Sequence, residues 1–290
     1  MKRSLYLHIG SPKTATSSIQ HFLYEERDWL KENGYHYVET GMNHRLQCHH
    51  DLVWRMGLNR PPSFVTVESE EPHGILDELV AEISHLESNL IISSELLFFV
   101  EDYGEIEPLL EAVGDRDIYI VLFVRRQDRF LESLYQQIIK DGGRDTFDKW
   151  YEKSKSIGYY DKLLDRLDNI VPPENILLDI FEPEREDYHP IRRFLSLIGL
   201  EEVSTEVKKI ENIRKNESLS IDEIEEIRLS NMTDLSKRFK LIREFQDRAG
   251  EKRKRFLSEE HRDEIISFYR ESNERFARMG GMMESMGDWF

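Results

Sequence analysis

The chain has 290 residues, a net charge of −17 and a hydrophobic fraction of 39%. This length suits one large α/β domain or two small ones, and no apolar run approaches the roughly 20 residues of a membrane span. The charge is concentrated in residues 61–120, where fifteen acidic residues oppose a single basic one, Arg116. A chain this acidic is a poor partner for nucleic acid or an anionic membrane, so we expect neither.

The beginning of the chain gives the expected compartment. Residues 1–3 and the short apolar stretch after them look like the start of a signal peptide, but Gly10 and Lys13 interrupt that stretch. We therefore expect a cytoplasmic protein. Cys48 is the only cysteine, so the sequence excludes an internal disulfide and carries no redox signal.

The first predicted elements are a buried strand over residues 5–9, a polar loop, and a helix over residues 14–22. The N–H groups of a first helical turn favour an anion, and Lys13 adds a positive charge beside them. The alternative is an ordinary strand-to-helix turn with surface hydroxyls. The residues predicted to form the anion-binding loop are Gly10, Ser11, Lys13, Thr14, Ala15, Thr16, Ser17 and Ser18.

The spacing of this loop differs from that of the nucleoside-triphosphate loop G-x-x-x-x-G-K-[ST]. Only two residues separate Gly10 from Lys13, and no second glycine precedes the lysine. The loop instead resembles the phosphosulfate-binding loop of sulfotransferases that use 3′-phosphoadenosine 5′-phosphosulfate (PAPS), whose bacterial members commonly show H-I-G-x-x-K-T-G-T-T-S-x-Q. The matching residues are His8, Ile9, Gly10, Lys13, Thr14, Thr16, Ser18 and Gln20.

Ala15 departs from this pattern, because the family usually has glycine there. If the backbone at Ala15 has a positive φ, alanine costs about 1 kcal/mol. We therefore expect either an ordinary backbone at this position or a reduced affinity.

The next stretch combines a short second strand, residues 35–38, with a loop-rich region that contains one helical patch. Four potential metal ligands cluster here: His44, Cys48, His49 and His50. Neighbouring histidines point apart on a helix, and no second ligand cluster follows in the sequence. We expect no metal, and we name His49 and His50 as substrate-binding candidates.

A helix over residues 72–88 then leads to a buried strand over residues 90–92, which is followed by Ser93, Ser94 and Glu95. Ligands bind at the carboxyl ends of strands in open α/β sheets. Apolar residues 96–99 follow Glu95, and a carboxylate in apolar surroundings is a stronger base. Glu95 is thus a candidate general base, and the alternative is a capping or solvated glutamate.

Residues 117–124 form the longest β-branched run, which is typical of a central parallel strand. Arg125 follows it, and the next helix is predicted over residues 130–140. Arg125 with Ser133 resembles the 3′-phosphate motif of sulfotransferases, in which an arginine closes the strand and a serine lies on the next helix. We expect Arg126 and Arg129 to face solvent instead.

The rest of the chain predicts two helical patches over residues 146–167, a fifth strand over 175–180 and a helix over 189–197. Residues 213–218 are a basic loop similar to the late loop with which sulfotransferases close over the nucleotide, and its candidate ligands are Arg214, Lys215 and Asn216. Two long helices end the chain. One is capped by Ser220 with Glu223 in a capping box, and the other begins at Ser258.

Five strands separated by helices predict a three-layer α/β fold, with a central parallel sheet of P-loop-like type and a C-terminal helical extension. We predict one domain over residues 1–290. Residues 1–200 would hold the sheet and both anion loops, and residues 201–290 the closing loop and the helical tail.

The resemblance implies a PAPS-dependent sulfotransferase that acts without a metal on a hydroxyl acceptor, such as a glycan, a glycolipid or a small metabolite. In this interpretation Lys13 stabilises the leaving group and Glu95 is the base, where cytosolic relatives place a histidine and others a glutamate. His8 is the competing base, although inside a strand it is better placed to shape the loop. The alternatives are a P-loop kinase of a small metabolite, which would need Mg²⁺ ligands, and a non-catalytic nucleotide-binding protein.

Overall fold

The computed structural model describes residues 3–61, 72–202, 219–247 and 256–289. The strands are β1 (Ser4–Gly10), β2 (Tyr35–Tyr37), β3 (Asn89–Ser93), β4 (Asp117–Val124) and β5 (Ile176–Ile180). The α-helices are α1 (Thr16–Glu25), α2 (Arg27–Glu32), α3 (His50–Arg55), α4 (Pro72–Ile83), α5 (Glu107–Ala112), α6 (Gln127–Lys140), α7 (Phe147–Ser154), α8 (Tyr160–Leu167), α9 (Pro190–Leu197), α10 (Ile221–Thr233), α11 (Lys237–Asp247) and α12 (Glu259–Met279).

The five strands form one parallel sheet in the order β2–β3–β1–β4–β5. Strand β1 lies at its centre, between β3 and β4. The chain first builds the sheet on one side of β1 and then crosses to the other side after β3. In such sheets the carboxyl ends of the strands beside this crossover form the usual ligand crevice.

Both faces of the sheet are buried, as continuous apolar strands require. One face contributes Ile91, Val121 and Phe123 to a core that also contains residues of α1, α2 and α9. On the opposite face, Leu7 and Ile92 are fully buried. The predicted α/β fold with a central parallel sheet and a helical C-terminal region is therefore confirmed.

The chain groups into two compact units. The first consists of Met1–Val124 with Leu163–Ile213 and contains the whole sheet. The second consists of Arg125–Lys162 with Arg214–Phe290, and in it α10 and α12 both pack against α6. The single domain expected over residues 1–290 stays a prediction.

The boundaries differ from the sequence-based expectations mainly in the helices. Helix α6 begins at Gln127, because the carbonyl of Arg126 already accepts the first helical hydrogen bond from the Phe130 N–H. The described tail contains three helices rather than two. The break follows α10 at Asp234, whose carboxylate accepts hydrogen bonds from the N–H and hydroxyl of Ser236.

Two features of the tail agree with the sequence. Ser220 and Glu223 form the predicted capping box of α10, and Ser258 caps α12. Sequence reasoning missed helix α5 and the 3₁₀ helix Glu95–Phe99. Within the described ranges, no helix combines the length and the apolar character that crossing a bilayer requires.

Candidate functional site

The loop after β1 is built around a close approach between Gly10 and Glu95. Gly10 has a φ of +93°, and a Cβ atom placed on it would lie 3.0 Å from the Cβ of Glu95 and 3.1 Å from the nitrogen of Pro12. Only glycine tolerates both the positive φ and this contact. The backbone at Gly10 therefore lies directly against Glu95, two residues after the end of β3.

One hydrogen bond fixes this loop to β4, and another joins β1 to the residue that follows β3. The Ser11 N–H donates to the carbonyl of Phe123 at 2.6 Å, and the Ser94 N–H donates to the carbonyl of His8 at 3.0 Å. Thr14 is fully buried, and its hydroxyl donates to the Ser11 carbonyl at 2.6 Å. Thr14 was predicted to bind the cofactor, but its hydroxyl proton is used to hold the loop.

Two non-glycine residues of the loop adopt left-handed backbone conformations, Lys13 with a φ of 66° and Ala15 with a φ of 62°. Ala15 is also the N-cap of α1 and has no polar side chain with which to cap it. The sequence left open whether the backbone at Ala15 has a positive φ. The backbone has a positive φ, and alanine bears its cost there.

The start of α1 has the features of an anion site. None of its first residues is acidic, and the N–H groups of a first turn lack intrahelical partners. The Ser11 hydroxyl is completely buried and has no hydrogen-bond partner within the described part of the chain. Ala15 and Ser18 are half-buried, Thr16 is buried and Ser17 is exposed.

Glu95 is held by a chain of hydrogen bonds that crosses three elements. The side-chain amide of Gln20, on α1, donates to the Oε2 atom of Glu95 at 2.7 Å and to the hydroxyl of Ser93 at 3.2 Å. The Ser93 hydroxyl lies 2.8 Å from the Nδ1 atom of His8. Gln20 was recognised from the sequence only as part of the loop pattern, because a contact across 75 residues leaves no local signal.

His50 approaches the other carboxylate oxygen. Its Nε2 atom lies 3.8 Å from the Oε1 atom of Glu95, and its Nδ1 atom is 2.8 Å from the hydroxyl of Ser94. Burial lowers the pKa of His50, and the charge of Glu95 opposes that shift. Glu95 is thus placed between an amide donor and an imidazole, beyond the carboxyl end of β3. In open α/β sheets this is the usual place for a ligand.

His49 was predicted to bind substrate, and its geometry indicates a structural role instead. It is fully buried, its Nδ1 atom accepts from the Ser93 N–H at 3.0 Å, and its Nε2 atom donates to the carbonyl of Val38 at 2.7 Å. These backbone partners require a neutral imidazole. Burial correspondingly lowers the pKa of His49 to about 4.

His8 is likewise unsuited to the role of competing base. It is fully buried beside the rings of Phe123 and Phe194, and burial lowers its pKa to about 3. Among the described residues its side chain contacts the Ser93 hydroxyl, and Gln20 links that hydroxyl to Glu95. The loop-shaping role expected for His8 stays a prediction.

Cys48 closes the loop that precedes His49 and helix α3. The Asn43 N–H donates to the carbonyl of Cys48 at 2.7 Å, which forms a short antiparallel bridge. The Cys48 side chain is buried, and burial followed by the charge of Glu95 raises the pKa of its thiol. Across the described ranges, no group of three or more potential ligands could hold a metal ion.

Arg125 belongs to the second compact unit. Its carbonyl accepts a hydrogen bond from the Tyr160 hydroxyl at 2.7 Å, and Ser133 is half-buried on α6. Their predicted role in binding the 3′-phosphate stays a prediction. The predicted ligands Arg214, Lys215 and Asn216 lie outside the described residues.

Arg126 does not face solvent as expected. It is ion-paired with Asp128 at 2.8 Å and with Asp288 at 2.9 Å. Burial opposes ionisation of Asp128, but its hydrogen bonds with Arg126 and the charge of Arg262 outweigh it and lower its pKa. Arg129 is also half-buried. The acids that partner Arg126 are separated from it by 2 and 162 residues, and only the first could be suspected from the sequence.

The fold is similar to that in the crystal structure of a sulfotransferase from Alicyclobacillus acidocaldarius. The comparison gives a TM-score of 0.53 and covers 97% of each chain. The two chains share a fold. Their sequence identity is 12%, so the likeness concerns architecture alone.

No protein-family model matches the chain. An uncharacterized protein from Archaeoglobus fulgidus is 30% identical over 196 residues, which cover 65% of this chain and 53% of that protein. The chain therefore spans about half the length of this relative.

Proposed function

We propose that this protein is a sulfotransferase that moves a sulfuryl group from PAPS to a hydroxyl acceptor. The observation that carries the proposal is the contact between Gly10 and Glu95. It brings the loop predicted to bind an anion next to a carboxylate that accepts a hydrogen bond from Gln20. Sulfuryl transfer needs both parts, an electrostatic clamp on the donor and a base for the acceptor.

The donor would use both predicted anion sites. PAPS carries phosphate groups at two ends of its ribose. The loop with Lys13 would bind the 5′-phosphosulfate, and Arg125 with Ser133 would bind the 3′-phosphate. Arg214, Lys215 and Asn216 would close over the nucleotide.

The mechanism follows from the flow of charge. The acceptor oxygen forms a bond to sulfur while the bond between sulfur and the bridging oxygen breaks. The negative charge that develops on the bridging oxygen is stabilised by Lys13 and by the N–H groups of the first turn of α1. Glu95 accepts the hydroxyl proton through Oε1, because Oε2 already accepts a hydrogen bond from Gln20.

The acceptor class follows from the local charge. Glu95 lies inside residues 61–120, where fifteen acidic residues accompany one basic residue. A polyanionic acceptor would have to approach this charge. We therefore propose an uncharged or weakly charged acceptor, such as a glycan, a glycolipid headgroup or a small metabolite.

The nucleotide is the sharpest test of this proposal. Melting temperatures would be compared with adenosine 3′,5′-bisphosphate (PAP), ADP and ATP, each with and without Mg²⁺. PAP should stabilise the fold most, because it alone carries a 3′-phosphate, and a ligand at 100 times its Kd adds about 2.7 kcal/mol. Equal effects of ADP and PAP, or a shift that requires Mg²⁺, would favour a kinase instead.

A further inference from the structure

Three consecutive residues at the turn between β4 and α6 are each held by a different part of the second compact unit. The carbonyl of Arg125 accepts from the Tyr160 hydroxyl at 2.7 Å. The guanidinium of Arg126 donates to the carbonyl and carboxylate of Asp288 at 3.2 and 2.9 Å. The third residue, Gln127, is held through its side-chain amide.

The contacts of Gln127 are completely buried. Its amide donates to the side-chain oxygen of Asn273 at 2.6 Å and to the carbonyl of Gly158 at 3.1 Å. Asn273 also donates to the carbonyl of Trp289 at 3.1 Å. The turn Gly287–Trp289 is thereby joined to the start of α6.

Tyr160 belongs to the same assembly. It is fully buried, and its ring lies 6.2 Å from the ring of Trp289 and 5.7 Å from that of Phe276, measured between centroids. Burial raises the pKa of Tyr160. Its hydroxyl therefore keeps its proton and serves as a permanent donor to Arg125.

We propose that Tyr160, Asn273 and the turn Gly287–Trp289 are positioning elements that set the backbone of Arg125 and so determine the preference for a nucleotide with a 3′-phosphate. The inference rests on the proposed function, and it adds residues that lie between 35 and 164 positions along the chain from Arg125. None of them needs to touch the nucleotide. They act by fixing the direction in which the Arg125 side chain leaves the strand.

The position of Arg125 in the chain supports this role. Arg125 is the first residue after β4, so a shift of its backbone would move the guanidinium with it. The hydroxyl of Tyr160, which lies 2.7 Å from the carbonyl of Arg125, restrains that shift. The buried amide pair of Gln127 and Asn273 fixes the other side of the same turn.

The test compares Tyr160→Phe with Tyr159→Phe in the full chain. Tyr160→Phe keeps the ring and removes the hydroxyl that holds Arg125, without a change of charge. In Tyr159→Phe the lost hydroxyl has no hydrogen-bond partner within the part of the chain that the structure describes. Asn273→Leu tests the other side of the turn. Calorimetry would give the Kd values of PAP and ADP, and thermal unfolding would report the stability of each variant.

We expect Tyr160→Phe and Asn273→Leu to weaken PAP binding by about 3- to 10-fold, the effect of one hydrogen bond. ADP binding should change by less than about 2-fold, so the preference for PAP falls. Tyr159→Phe should keep the wild-type preference. A variant that melts at a lower temperature but keeps the PAP preference has a merely structural defect, and this result would overturn the inference.

The outcome for the wild type separates this inference from the proposed function. If the wild type binds PAP no better than ADP, the proposed function fails and the inference falls with it. If the wild type prefers PAP and both variants retain that preference, the inference alone is wrong. Should Tyr160→Phe fail to fold, Asn273→Leu decides the matter by the same criterion.

Discussion

Ala15 starts helix α1 with a left-handed backbone, a conformation that costs an alanine about 1 kcal/mol. Ala15→Gly should therefore raise the free energy of unfolding by about 1 kcal/mol. Ala81→Gly is the matched control, because Ala81 lies inside α4, where glycine should destabilise by a similar amount. Urea denaturation would measure both changes. A loss of stability in both variants would contradict the strain assigned to Ala15.

Glu95 and Gln20 can be separated by their effects on the transfer rate. Glu95→Gln removes the basic oxygen, so transfer should fall by about 10² to 10⁴ with PAP affinity intact. Gln20→Leu keeps the carboxylate but removes the donor to Oε2, and its rate should fall less, by about 10-fold. Single-turnover rates with saturating PAPS measure both effects. An active Glu95→Gln enzyme would exclude Glu95 as the base.

The junction of α12 and α6 contains a buried ion pair. Arg262 donates to Asp128 at 2.9 Å, and the two side chains are 8% and 0% exposed. Arg262→Met removes the cation that pairs with the carboxylates of Asp128 and Glu132. The free energy of unfolding should therefore fall by about 3 kcal/mol.

The exposed pair of Lys153 and Asp145 provides the comparison for this junction. Its side chains are 61% and 32% exposed, so Lys153→Ala should cost less than about 1 kcal/mol. Urea denaturation of both variants decides the point. Equal losses of unfolding free energy in the two variants would mean that burial does not strengthen the ion pair of Arg262 and Asp128.

The strands could be predicted from the sequence, whereas the long-range contacts could not. All five strands were found within two residues of their observed bounds, because each is an apolar run broken by polar residues or glycine. Glu95 was selected by its place after β3, a rule that depends on local order alone. The bonds from Gln20 to Glu95 and from Arg126 to Asp288 join residues 75 and 162 positions apart. Such pairs are created by the fold and leave no local pattern.

The lack of a local pattern also explains why His49 and His50 could not be told apart in the sequence. Adjacent residues His49 and His50 look equivalent in the sequence. The start of α3 turns His49 toward the backbone of Val38 and Ser93, and His50 toward Glu95. Which of two neighbouring side chains faces a site depends on the exact start of a helix, and this is the least predictable of local features.

Buried neutral histidines should make the stability of the fold sensitive to acid. Burial lowers the pKa of His8 to about 3 and that of His49 to about 4, whereas in the unfolded chain both titrate near 6.5. Between these values the unfolded state binds protons that the folded state does not. The stabilisation is therefore complete above pH 6.5 and is lost as the pH falls toward 4 and 3.

Each of these histidines should lower the free energy of unfolding by about 1.4 kcal/mol per pH unit over that range. Urea denaturation at pH 7.5, 6.5 and 5.5 would give the slope, and His8→Asn should reduce it. His44→Gln, at an exposed position, is the control and should leave the slope unchanged. A stability that stays constant from pH 7.5 to 5.5 would contradict the neutral state assigned to both imidazoles.

The labelling rate of the Cys48 thiol can be used to measure how often its loop opens. It is the only thiol in the chain, it is 1% exposed, and its loop leads into α3, whose first residue, His50, lies beside Glu95. A thiol-specific reagent can reach it only when that loop opens, so the labelling rate divided by that of a free thiol measures the open fraction. Labelling should be much slower than for a free thiol, and an acceptor bound beside His50 should slow it further. Labelling at the free-thiol rate would show that the loop is open most of the time.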